Sequence, residues 1–119
     1  MTANSKAVIP LSSNPFHEGH WDIGRKASYA FDKIIYAIGH NPAKKELNSM
    51  EMEEKRIEAL EEWQAINNRA NEEYKVDPHK FDFQYFTGFL SQYVEWLRAD
   101  AVVRGVRGVD DIGYEMKQQ

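Results

Sequence analysis

The sequence contains no cysteine. That excludes disulfides, thiolate metal sites and a thiol nucleophile, and it suits a reducing cytoplasm. Long apolar runs are missing too. None approaches the roughly 18 residues of a membrane span, and the opening MTANSKAVIP lacks the apolar stretch of a secretory leader. Neither sign of charge strongly outweighs the other, with 15 Lys and Arg against 19 Asp and Glu. A net charge of −4 supplies no global attraction to nucleic acid or to an anionic membrane, although a local basic site for a small anion stays open. Internal repeats and low-complexity linkers are also absent. The expectation is one cytoplasmic domain spanning residues 1–119. At this length folding buries about two-thirds of the surface of the extended chain.

What is present is an ordinary globular composition, 42% hydrophobic and 13% aromatic, which argues against disorder. Short apolar runs alternate with amphipathic stretches, the pattern of β-α-β-α order. The first run is Lys6 to Leu11, followed by the turn-forming Ser12-Ser13-Asn14-Pro15. A helix is expected from Glu18 or Gly19 to about Phe31. The unbroken apolar run Lys33 to Gly39 reads as a buried parallel strand, ended by Asn41-Pro42. Asn48 and Glu51 form a capping pair. Ile57, Leu60, Trp63, Ile66 and Ala70 then recur at helical spacing, so a long amphipathic helix is expected, with this stripe in the core. Phe81 to Phe86 reads as a third strand, Phe89 to Arg98 as a helix with Tyr93 and Trp96 in the core, and Ala101 to Val103 as a fourth strand. From Val109 onward a helix is expected.

Strands separated by helices imply a parallel sheet with right-handed crossovers. Ligands of such sheets bind beyond the carboxyl ends of the strands, where strand order reverses. The residues just after each strand are therefore the candidates. After the first come His17, Gly19 and His20 at a helix N-terminus, where free N–H groups and the helix dipole favour an anion. Gly19 would let backbone approach a ligand. The two histidines are three positions apart and share a face of a helical turn. On spacing alone they admit phosphate binding, a capping role for His17, or a chance metal-like spacing with no carboxylate to complete it. After the second strand come Lys44 and Lys45, which alone read as solvated charge. After the fourth come Arg104 and Arg107 between glycines, able to grip an oxyanion with forked donors or to stand exposed in a turn. Three anion-friendly clusters on one rim point to a polyphosphate ligand. Trp21 follows the histidines directly and reads equally as a residue under the site or over a ligand.

These residues resemble the HxGH nucleotidylyltransferases and, within them, the phosphopantetheine adenylyltransferases. Ser12 to His20 is similar to the family's first motif, Asn41 to Lys45 to its second-strand loop, and Phe86 to Leu90 to the segment after its third strand. The stretch Arg104-Gly105-Val106-Arg107-Gly108-Val109-Asp110-Asp111-Ile112-Gly113-Tyr114-Glu115-Met116 is the most specific match. The resemblance implies transfer of an adenylyl group from ATP to 4′-phosphopantetheine, giving dephospho-coenzyme A and pyrophosphate, with Mg²⁺ accompanying ATP. It implies His20 at the α-phosphate, Ser12 touching both substrates, and Lys44 and Arg104 on the attacking phosphate. It places Ser13, His17, Gly105, Val106, Arg107 and Glu115 on ATP, and Leu90 along the pantetheine arm. No protein metal site is implied.

The sequence also departs from the family pattern. Ser12-Ser13 replaces Thr-Phe, Leu11 replaces a glycine, Asn14 an aspartate, His17 a threonine and Gly113 a glutamate. The His-x-Gly-His form is that of the nicotinamide mononucleotide and glycerol-phosphate branches. No Ser/Thr-rich cluster follows Leu90, where the family carries a fifth strand and a phosphate-binding motif. The expectation is a shortened relative with a Rossmann-like parallel sheet of about four strands, ordered 3-2-1-4, flanked by helices and exposing the edge of the fourth strand. Self-association or a second chain would supply the missing part, and a catalytically impaired nucleotide-binding or regulatory subunit is the alternative.

Overall fold

The computed structural model describes residues 5–11, 17–40, 48–105 and 112–116. In chain order the elements are β1 (Lys6–Leu11), α1 (Glu18–Ala27), β2 (Lys33–His40), α2 (Ser49–Tyr74), a 3-10 turn (Pro78–Lys80), β3 (Phe81–Thr87), α3 (Leu90–Leu97), β4 (Ala101–Gly105) and β5 (Ile112–Met116). The sheet order is β3-β2-β1-β4-β5. Its first four members run parallel, as the alternating pattern requires. None of the helices among the described residues is long and apolar enough to cross a membrane.

Two expectations are corrected at the chain's far end. The stretch after Val109 was expected to be helical, but Ile112–Met116 is a strand, antiparallel to β4. The edge of β4 is therefore covered, not exposed. Gly113 disfavours a helix by about 1 kcal/mol relative to alanine, and the unpaired edge of β4 offers backbone partners that a helix would leave unused.

Side chains alternate across the sheet and sort into two clusters. Ala7, Ile9, Ile34, Tyr36, Phe81 and Val103 face α1 and α2, which contribute Trp21, Ala27, Trp63 and Ala70. Val8, Ile35 and Ala37 face α3, which contributes Val94. Trp21 is resolved as core: it is 1% exposed and its indole N–H donates to Asn67 Oδ1 at 3.0 Å. The Tyr36 hydroxyl donates to the Trp21 carbonyl at 2.6 Å, locking α1 onto β2. That approach requires Gly24, since a Cβ there would lie 2.0 Å from the Tyr36 oxygen.

The capping pair of α2 forms as expected. Glu51 N–H donates to Asn48 Oδ1 at 2.8 Å, and Asn48 N–H to Glu51 Oε1 at 3.3 Å. The helical stripe is core from Ala59 onward, whereas Ile57 is exposed. Trp96 corrects another expectation: it is 75% exposed, while its neighbour Tyr93 is half-buried against Phe86, ring centroids 4.5 Å apart.

Candidate functional site

Strand order reverses at β1, which sends β2 and β3 to one side and β4 to the other. The β1–β2 ladder runs the whole length of β1, to Leu11↔Ile38. The β1–β4 register covers only Ala7↔Ala101 and Val8↔Val102. The two strands therefore part toward their carboxyl ends, at the switch point where open α/β sheets bind ligands. Pro10 lies in the parted stretch. It has no N–H, so it continues a central strand only where one side carries no ladder. A proline two residues before the first turn cluster was the sequence signal for this opening, and the sequence reading did not use it.

The N-terminus of α1 stands beside that opening. His17 is its N-cap, extended at φ −138° and ψ 174°. The Gly19 N–H donates to His17 Nδ1 at 3.1 Å. In return the His17 N–H donates to His20 Nδ1 at 3.2 Å. The two imidazoles stack with centroids 3.6 Å apart and planes 21° apart. A nitrogen that accepts cannot carry the proton, so this network assigns both rings to the Nε2–H form. Burial, and then the neighbouring His17, hold the His20 pKa below its ordinary value, so at neutral pH His20 is an uncharged donor through Nε2. Gly19 has a more local reason than ligand approach: a Cβ there would meet His17 Cε1 at 2.9 Å and Nδ1 at 3.0 Å.

Surrounding charges are mostly internal to the helices. Glu18 pairs with Arg69, tying the first turn of α1 to α2. Asp22 holds Arg25 at 2.7 Å and Lys26 at 3.4 Å. Arg25 also lies over the Tyr74 ring at 4.5 Å. A cleft of about 350 Å³ between α1 and α2 is lined by Glu18, Asp22, Arg25, Lys26, Glu73 and Tyr74, and the charges on its α1 wall are already paired. Among the described residues no group of three or more His, Cys, Asp or Glu could hold a metal.

The remaining candidates distribute as follows. Arg104 is exposed near the rim end of β4 and, by strand alternation, shares the face of Val102 that α3 covers. Leu90 opens α3 and is partly buried against the core cluster that contains Val8, Ile35 and Ala37. Gly105 ends β4, opposite Ile112. The backbone of Glu115 lies opposite Val102, three residues and so about 10 Å back along β4 from Gly105. Ser12, Ser13, Lys44, Val106 and Arg107 lie outside the described residues. The structure thus brings His17 and His20 into contact on the α1 side, with Leu90 and Arg104 on the α3 side of the same rim.

Residues 12–119 match the profile of the cytidylyltransferase-like family. Among curated relatives, a phosphopantetheine adenylyltransferase of Syntrophomonas wolfei is 40% identical over 92% of this chain and 60% of its own length. One of Caldanaerobacter subterraneus is 34% identical over 93% of this chain and 61% of its own. One of Lawsonia intracellularis is 33% identical over 93% and 56%. The chain spans about 60% of the length of the relatives it matches.

Proposed function

This chain belongs to the cytidylyltransferase-like family, and from that premise we propose that it joins ATP and 4′-phosphopantetheine to give dephospho-coenzyme A and pyrophosphate. One observation carries the reading. At the mouth of the sheet's switch point, beside a helix N-terminus, stands an imidazole whose Nδ1 accepts a backbone N–H, which puts the ring proton on Nε2. Such a donor suits an oxygen that gains charge as a phosphoryl group is transferred.

In this reading a phosphate oxygen of phosphopantetheine attacks the α-phosphorus of ATP in line. The new P–O bond forms as the bond to the β-phosphate oxygen breaks, and pyrophosphate leaves with that electron pair. The nucleophile is already ionised, so no general base is needed, and the protein's work is positioning and charge stabilisation. His20 donates to the α-phosphate, Lys44 and Arg104 hold the attacking phosphate, and Arg107 with the α1 N-terminus receives the ATP phosphates. Leu90 presents its exposed part to the pantetheine arm. Mg²⁺ would accompany the triphosphate, as it does where substrate phosphates are its main ligands. Its contribution there is neutralisation of phosphate charge.

The test is pyrophosphate release by the purified chain with Mg-ATP and either 4′-phosphopantetheine or nicotinamide mononucleotide, across a range of protein concentrations. Turnover with phosphopantetheine is expected. A rate rising faster than protein concentration would show that association completes the site. His20→Ala is expected to lower kcat by about 10²–10³ with the fold intact. Turnover with nicotinamide mononucleotide alone would reassign the acceptor. ATP binding without turnover would make the chain a nucleotide-binding subunit, and no affinity for any nucleotide would overturn the reading.

A further inference from the structure

We infer that His17 is the positioning residue of His20, fixing both the plane of its imidazole and the nitrogen that carries its proton. A histidine in the first turn of a helix ordinarily keeps ring rotation and two neutral tautomers. Here both freedoms are removed from one side. The His17 N–H donates to His20 Nδ1 at 3.2 Å, which selects the Nε2–H tautomer. The His17 ring lies against the His20 ring at 3.6 Å and 21°, which opposes rotation. His17 is itself held, because its Nδ1 accepts the Gly19 N–H at 3.1 Å. Its ring occupies the space that any Cβ at position 19 would enter. The three residues form one chain of constraint, running from the missing side chain of Gly19, through His17, to His20.

A purely structural account does not explain the ring at position 17. His17 is exposed and joins neither core cluster. The capping task alone is served as well by asparagine or serine. What an imidazole adds beyond those is a flat surface for His20. The consequence for the transfer step rests on the function proposed above: a donor held in one orientation needs no reorganisation as charge develops.

The experiment is long-range ¹H–¹⁵N correlation spectroscopy of the histidine rings in the full chain. It is run at a pH where they are neutral, with the four histidines assigned by single replacement. In the unmodified protein His20 is expected to show one tautomer with Nδ1 unprotonated. His17→Asn keeps a capping acceptor and the backbone N–H but removes the stack. Gly19→Ala displaces the ring by a different route. Without the stack the His20 ring is expected to turn away from the position-17 N–H, so both variants move the His20 nitrogens toward the averaged values of a free imidazole, with melting temperatures close to the parent. His20 shifts unchanged in both variants, or an Nδ1–H tautomer in the parent, would overturn the inference. A kinetic arm adds that His17→Asn lowers kcat about tenfold while the KM for ATP changes less than about threefold. A loss confined to KM would overturn the positioning role. If the parent chain has no turnover, the proposed function fails while the spectra still decide the inference.

Discussion

At the scale of single residues, the tightest fit in the fold is Gly24 against Tyr36. A methyl at position 24 would collide with the phenol oxygen at 2.0 Å and with Cζ at 2.4 Å. Gly24→Ala is therefore expected to destabilise the protein by about 2–3 kcal/mol, combining overpacking with loss of the buried Tyr36–Trp21 hydrogen bond. Chemical denaturation with an unchanged m-value checks this, and a variant as stable as the parent would contradict it. Helix propensity alone points the other way, since alanine is the better helix former by about 1 kcal/mol. The sequence shows a glycine in a helix; only the packed strand shows why it is there.

His20 makes stability depend on pH. Its native pKa lies below the ordinary 6.5 because of burial first and the His17 charge second. The unfolded chain therefore takes up this proton at a higher pH than the native one. The associated stability is fully present above the ordinary value and is lost as pH falls through the lowered native value. Among the described residues, His17 is the charge that acts on His20, and Glu18 on the same turn is paired with Arg69 of α2. Melting temperature is expected to fall on acidification below about pH 6.5, and to fall less in His17→Asn, where the like charge and part of the burial are gone. Superimposable pH profiles would contradict this.

At the scale of elements, two tryptophans separate what helical spacing shows from what it hides. Trp63 is 7% exposed and Trp96 is 75% exposed. Trp63→Ala is expected to cost about 3–5 kcal/mol through transfer and cavity terms. Trp96→Ala is expected to cost less than about 1 kcal/mol, as for a surface site away from buried features. Equal losses in urea denaturation would refute the assignment of faces. The signal for Trp96 was in the sequence. Leu90, Tyr93, Val94 and Leu97 follow the one-stripe spacing, and position 96 falls off that stripe. The segment Ile112–Met116 is a different kind of miss. Five residues with one glycine carry no decisive local preference, and the choice went to the partner available at the edge of β4.

At the scale of the whole molecule, the two core clusters share the same strands. Val8 and Ile9 are adjacent in β1 yet belong to opposite faces, so neither cluster can be lost while β1 stays packed. Unfolding is expected to be one cooperative transition, with tryptophan fluorescence and far-UV circular dichroism superimposing. The fluorescence change should come from Trp21 and Trp63, with Trp96 solvated throughout. Separate midpoints for the two probes would show that the α3 face melts independently.

The sequence by itself determined the order of elements from β1 to β4, the cap of α2 and the proximity of His17 to His20, each from preferences within a few residues. The 3-2-1-4 order of the parallel strands was legible only through the resemblance to the adenylyltransferases. Tertiary structure alone decided that Trp21 is core. It alone decided that Gly24 and Gly19 yield their space to Tyr36 and His17, and that Ile112–Met116 pairs as a strand. Each of these outcomes depends on which atoms are brought alongside, whether from distant elements or by the rotamer of a near neighbour. No local pattern of hydrophobicity or charge encodes that.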